Sequence, residues 1–372
     1  MQGLMPSTAS GSLVQRHLAG RRCDLDGITK VRGVLVGHAQ DEDALTGCTV
    51  VLTPNGAVAG VDVRGSAPGT RETDLMRPCN LVERIQAVVL SGGSAYGLDA
   101  ASGAMEFLEE QGVGFETPFG VVPIVGAAVI FDLGIGNPKV RPDRSMGYRA
   151  CQAASSGACA EGNVGAGIGA TVGKMLGAEY AMKGGIGTCV AELPRSGRGG
   201  SVHVGAIVSV NALGDIVDPW TGTVVAGAYD REAKRFIGPG TARKAGMARR
   251  RKIGESVARV SEDVAGTNTT VAVVATDAML DKEGANKVAQ MAHDGLAGAI
   301  VPAHTMYDGD TVFCLSTGKR PLSRDRAADI TAIGSLAAEV LAAAVVRAVR
   351  VCRSAGGYLA ACDVPEAASD RK

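Results

Sequence analysis

The stretch Gly266-Thr267-Asn268-Thr269-Thr270-Val271-Ala272-Val273-Val274-Ala275-Thr276-Asp277 decides how the chain is read. From Thr269 it is β-branched and apolar without polar alternation, the pattern of a central strand buried on both faces. Upstream, Gly240 to Lys244 and the run Arg249-Arg250-Arg251-Lys252 read as a solvated polar segment. A hydroxyl residue therefore stands where a long polar segment meets a core strand, with Asn before it. A Thr hydroxyl so placed can attack its own upstream carbonyl, forming an ester that water opens. The chain would then be cut between Asn268 and Thr269, leaving a hydroxyl and an α-amine on one residue. An α-amine with an unperturbed pKa of about 7.7–8 is partly neutral near pH 7. It can serve as general base for its own hydroxyl, as in N-terminal Thr nucleophiles. The competing local reading is that Asn268 only turns the chain into the strand.

The 372 residues allow one large domain or two small ones, and 46% hydrophobic content supplies a sizeable core. No sharp composition break or repeat divides the chain, which favours one domain. The 52 glycines are scattered through apolar segments and so predict close backbone packing and tight turns rather than a linker. Aromatics at 3% argue against a base-stacking nucleic-acid surface, and a formal net charge of +0 offers no global field for nucleic acid or an acidic membrane. Nine dispersed cysteines without a C-x-x-C pair argue against a zinc site and suit a reducing compartment, so the expected location is the cytoplasm. The most apolar long segment, Ala332 to Cys352, holds Glu339, Arg347 and Arg350 and reads as a packed helix.

In chain order, residues 1–25 read as a loose arm. Cys48 to Pro54 and Ala57 to Val63 read as two strands of a hairpin joined by Asn55-Gly56. The polar loop Arg64 to Asp74 is a candidate site wall. Gln86 to Leu90 is a buried strand running into Ser91-Gly92-Gly93-Ser94-Ala95-Tyr96-Gly97 and a helix through Glu110. Gly92, Gly93 and Ser94 are candidate pocket residues at a helix N-terminus, although Ser94 breaks the dinucleotide pattern. The glycine-dense run Glu161 to Lys174 is not a phosphate loop, because Ile168 and Met175 occupy positions that pattern assigns to Gly and to Ser or Thr. Val202 to Val210 is a strand reaching Asn211. Lys282 to Ala299 has helical spacing, Thr311 to Leu315 is a strand, a long helix spans about Asp325 to Cys352, and a polar tail follows over 356–372. These elements predict a layered α/β or α+β fold.

Site candidates follow from position. Asn211 ends a core strand, where a fixed amide can donate to a developing oxyanion or simply form a turn. Asp308 and Asp310 flank Gly309 and can converge on one site or form an Asp-Gly turn. A cation beside the Thr269 amine would depress its pKa, and Lys174 and Lys183 both qualify.

Many collinear segments carry a resemblance. They include Gly65 to Asp74, Ser91 to Leu98, Gly162 to Gly167, Lys183-Gly184-Gly185-Ile186-Gly187, Val210-Asn211-Ala212, Asn268-Thr269-Thr270 and His304-Thr305-Met306-Tyr307-Asp308-Gly309-Asp310-Thr311. The chain resembles the DmpA family of L-aminopeptidase/D-alanine esterase-amidases, β-peptidyl aminopeptidases and the nylon-oligomer hydrolase. The resemblance implies an αββα sandwich, N-terminal-nucleophile-hydrolase-like and related to ornithine acetyltransferase. It also implies one catalytic domain over 26–355, cut into chains 1–268 and 269–372 that stay together and assemble as oligomers. Thr269 matches the nucleophile, Asn211 the oxyanion donor, and Asp308 and Asp310 the residues holding Thr269. Lys174 fits slightly better than Lys183 as the tuning cation. Phe131 stands where some relatives carry a Tyr that assists the oxyanion, so that hydroxyl is missing from the substrate site here. The implied activity is hydrolysis of small peptides or amides through an acyl-enzyme, without metal or organic cofactor. Acyl transfer on the same scaffold and a non-cleaving binding protein are the rivals.

Overall fold

The apolar run is a single strand, Thr269–Ala278, with all ten residues buried. It lies at the centre of the sheet in a computed structural model that describes residues 27–194, 200–241, 244 and 268–364. The expected arm at 1–25, the basic run at 249–252 and the end of the tail lie outside the described residues. The main elements are strands β1 (Leu35–Asp41), β2 (Thr46–Val63) and β3 (Arg84–Ser91), helix α1 (Ala100–Glu110), strand β4 (Val125–Val129), and helix α2 (Arg144–Gln152). They continue with β5 (Gly185–Leu193), β6 (Val202–Asn211), β7 (Thr269–Ala278), α3 (Lys282–Ala299), β8 (Thr311–Arg320) and α4 (Arg326–Val351).

The strands form one sheet in the order β5-β6-β7-β8-β2-β3-β4, with β1 also on β2 and Thr70–Arg71 beyond β4. β7 is antiparallel to β6 and parallel to β8. Alternation sorts the side chains into layers. Val204, Ala206, Val208 and Val210 of β6, with Ala272 and Val274 of β7, face α3 and α4. The opposite faces of β6, β7 and β8, carrying Ile207, Val271, Val273, Phe313 and Leu315, meet Val51, Ala59, Val88, Leu90 and Ala128 of β2, β3 and β4. The outer face of that second layer, with Val50, Ala87, Val89 and Ala127, is covered by α1 and α2. The result is an αββα sandwich in which β2 passes from one layer to the other. The fold is α/β, as the sequence pattern and the resemblance imply.

That passage corrects the hairpin reading at Asn55-Gly56. β2 is continuous for 18 residues. Its start pairs with β3 and its end with β8, and a register shift falls between Leu52 and Ala57. Gly56 takes φ +71°, so Asn55-Gly56 forms an irregularity that bends the strand between layers rather than reversing it.

Both long helices begin at an Asp that accepts an amide hydrogen bond: Asp281 from Gly284 and Asp325 from Ala328. Small residues let them approach closely. A Cβ on Gly187 of β5 would collide with Ala344 O of α4, and one on Gly295 of α3 with Ala338 O of α4. The most apolar 18-residue window of α4 has hydropathy and length enough to cross a membrane, but 72% of it is buried against the sheet and α3.

Candidate active site

The inner faces of β6 and β7 end together. Asn211 and Thr269 are register partners on neighbouring antiparallel strands, and both belong to the inward-facing parity. Such partners hold their Cβ atoms about 4.5–5.5 Å apart. Both are buried, Thr269 at 4% exposure. The Thr269 hydroxyl donates to the carbonyl oxygen of Asn268 at 2.5 Å. The same oxygen accepts the Gly309 amide at 3.0 Å. The hydroxyl thus lies against the peptide bond proposed for cutting, and a backbone donor already polarises that carbonyl.

Asn211 is held from several sides. Its Oδ1 accepts the Thr171 amide at 3.0 Å and Lys174 Nζ at 2.9 Å. Its Nδ2 donates to Phe131 O at 3.0 Å, and Lys174 Nζ also reaches the Asn211 carbonyl at 3.2 Å. Burial outweighs the attraction of Asp308 and brings the Lys174 pKa down to about 7.

The two candidate lysines are separated by their partners. Lys183 is fully buried, and its ammonium donates to the carbonyls of Gly167, Ala170 and Gly184 at 2.8–3.0 Å. Those three bonds match its three hydrogens. It pins the glycine-rich run to β5, whereas Lys174 lies on Asn211. Burial lowers the Lys183 pKa to about 8.

The carboxylates also sit differently from the expected direct contact with Thr269. Asp308 Oδ2 accepts the Thr305 amide at 2.7 Å. Asp310 Oδ1 accepts the Thr270 amide at 2.8 Å, and its Oδ2 takes both the amide and the ring Nδ1 of His304. Neither is hydrogen-bonded to the Thr269 hydroxyl, which donates to Asn268 O. Burial, with the charge of Asp310 beside it, raises the Asp308 pKa, and Lys174 opposes the rise.

Gly92, Gly93 and Ser94 stand one step from this centre. The Gly93 amide donates to Asp132 Oδ1 at 2.6 Å and the Ser94 amide to Ile130 O at 3.0 Å. Gly93 and Ser94 clamp the segment whose Phe131 carbonyl holds Asn211, and the Gly92 amide donates to Gly47 O. The phenyl ring of Phe131 supplies no donor, and its contribution is this backbone oxygen.

Three participants carry no signal of their own in the sequence: the Gly309 amide, Thr171 and His304. The first two act through the backbone, which leaves no mark on residue type. A Cys–His contact, Cys159 Sγ to His38 Nε2 at 3.8 Å, is no rival nucleophile. Burial pushes the thiol up to about 12 and the imidazole down to about 4, so both are neutral.

Comparison with known proteins places the chain in a family. The model of peptidase family S58 matches residues 26–360. An uncharacterized aminopeptidase of Mycobacterium leprae is 43% identical over 365 residues, covering 91% of this chain and 94% of the relative. A 6-aminohexanoate-oligomer endohydrolase of Paenarthrobacter ureafaciens is 33% identical over 323 residues, covering 85% and 84%. Among solved structures, the L-aminopeptidase D-Ala-esterase/amidase of Ochrobactrum anthropi, described as a variant of the Ntn hydrolase fold, superposes with TM-score 0.64 at 18% identity, covering 91% of this chain and 89% of that one. A β-aminopeptidase of a Burkholderia species gives 0.63 at 22%, covering 91% of each. The chain belongs to peptidase family S58 and is a hydrolase of peptide or amide bonds.

Proposed function

We propose that this hydrolase makes its own nucleophile by cutting between Asn268 and Thr269, and that Thr269 then carries the acyl group of each substrate. The observation that carries the reading is the Thr269 hydroxyl against Asn268 O, with the Gly309 amide on the same oxygen. The hydroxyl oxygen attacks the Asn268 carbonyl carbon, and Gly309 N–H steadies the oxyanion. In this reading Lys174, which burial brings down to about 7, takes the hydroxyl proton. The C–N bond breaks, the Thr269 nitrogen takes up a proton, and water hydrolyses the ester at Asn268.

The released α-amine becomes the base for later turnovers. It draws the proton from its own hydroxyl as that oxygen attacks a substrate carbonyl, then returns it to the leaving amine. Asn211, oriented by Thr171, Phe131 and Lys174, faces the developing oxyanion. Water releases the acid. The substrates in this reading are small peptides or ω-amino amides, in line with the aminopeptidase and 6-aminohexanoate-oligomer hydrolase names of the relatives. Eight free cysteines within the described residues suit work in the cytoplasm, and assembly into an oligomer of processed pairs belongs to the same proposal.

Denaturing mass spectrometry of freshly purified protein tests the reading. The expected result is two chains, the smaller beginning Thr-Thr-Val. A Thr269→Ala chain should stay whole and inactive. Native protein that remains whole while hydrolysing amides, or cleavage at that bond without the hydroxyl, would overturn it.

A further inference from the structure

His304 lies outside every role described above, yet it is built into the site. Its backbone takes φ +56°, a left-handed conformation uncommon for a side-chain-bearing residue. That turn brings two donors of one residue onto a single oxygen: the His304 amide at 3.0 Å and ring Nδ1 at 2.8 Å both meet Asp310 Oδ2. The other carboxylate oxygen takes the Thr270 amide at 2.8 Å. Asp310 is therefore a bridge from His304 to the residue that follows the nucleophile.

The far side of the ring is equally defined. His304 packs edge to face on His293 of α3, with centroids 4.8 Å apart and planes at 73°. His293 is fully buried, and its Nε2 donates to the Asp62 carbonyl at 2.9 Å. A backbone carbonyl only accepts, so the His293 proton sits on Nε2. The Asp62 carboxylate, 3.8 Å from that nitrogen, and the Arg64 guanidinium bonded to it are the charged groups on this side among the described residues. His304 Nε2 is buried and has no hydrogen-bond partner among the described residues. A proton relay through the ring needs a partner at each nitrogen, and among the described residues this ring has one only at Nδ1.

We infer that His304 is a positioning residue: it donates from Nδ1 to Asp310, fixes that carboxylate on the Thr270 amide, and so sets the pose of Thr269 at the strand start. The inference deepens the reading of Thr269 as nucleophile and rests on it for its effect on catalysis. The positional part stands on its own. Asp310, filled by three N–H donors, works here as a clamp rather than as a base.

The test compares His304→Leu with His304→Asn. Leu removes the donor; Asn restores an N–H close to the place of Nδ1 and tolerates positive φ. In a Thr269→Ala background, hydrogen exchange at the Thr270 amide should quicken at least about tenfold with Leu and return to within about threefold with Asn. In chains that keep Thr269, self-cleavage should slow at least tenfold with Leu at every pH from 6 to 9. With Asn it should recover, and its pH–rate curve should keep the native shape.

Unchanged exchange and cleavage with Leu would overturn the inference. So would a folded Asn variant no better than Leu, or one whose pH–rate curve loses a limb, which would make the ring a proton carrier. If the Leu chain does not fold, the Asn chain decides alone. If native protein never splits, the nucleophile reading falls, and the exchange measurement still decides the clamp.

Discussion

At the scale of single residues, the site turns on which polar atoms already have partners. Lys174 and Lys183 look alike in sequence, each in a glycine-rich setting. Their roles differ because one meets a side-chain amide and the other three carbonyls, and those partners come from segments up to 37 positions away. No local pattern carries that information. A consequence is a pH dependence of the proposed self-cleavage. With a Lys174 pKa of about 7, its basic form grows as pH rises through 7, so cleavage should quicken across pH 6 to 8. Lys174→Arg keeps a charge that does not leave, and should slow cleavage on the order of 100-fold, the low end for a positioned base. The curve in that window should also flatten. Time courses by denaturing gel at pH 6, 7 and 8 check both; a native rate that falls with pH would remove Lys174 as the base. Gly309→Ala is a second probe, since its Cβ would come 2.8 Å from the Thr269 hydroxyl and 2.7 Å from Ala67 O. It should block cleavage while leaving the core folded, as read by mass and thermal melting.

At the scale of elements, periodicity and capping residues are informative. The limits of α3, the Asp325 start of α4 and the buried character of β7 can all be read from residue type. Glycine density reads as close packing, and the structure adds where it matters. Gly295 lets α3 lie on the α4 backbone, so Gly295→Leu should destabilise by about 3 kcal/mol or more, because the colliding atom is a carbonyl that has little room to yield. Urea denaturation gives the number, and a loss under about 1 kcal/mol would mean the helices slide apart cheaply. The Asn55-Gly56 signal misleads because turn chemistry is local, whereas the partners of β2 are not. With β3 holding one end and β8 the other, a turn-forming pair can only bend the strand.

At the scale of the whole molecule, the layered class is legible in the alternation of apolar segments. The αββα order comes from the family resemblance instead, since strand neighbours such as β7 and β2's partner β8 are set by contacts remote in sequence. Global stability should carry the mark of buried ionisable groups. Asp215 is 2% exposed, accepts the Ala228 amide, and is raised by burial to about 6. The unfolded value is about 3.9, so between about 4 and 6 the folded chain holds the extra proton. Its contribution is present below 4 and is lost as pH rises through 6. Asp215→Asn, which cannot ionise, should therefore exceed the native chain in stability at pH 7.5 by on the order of 3 kcal/mol, and the gap should narrow to on the order of 1 kcal/mol at pH 4.5. Chemical denaturation at the two pH values decides; an equal gap at both would place the effect elsewhere.

The central place of β7 has a last consequence. A break before Thr269 would leave one fragment owning the middle of the sheet and the other owning both flanks, β6 on one side and β2 beyond β8 on the other. Neither fragment has a complete framework alone, so the pair would be interlocked like fingers of two hands. Scission would have to come after folding, it would be a one-way event, and fragments from different molecules should not trade partners in native buffer. Synthesis would then release a dormant chain, and assembly of the interior would itself be the trigger that arms it.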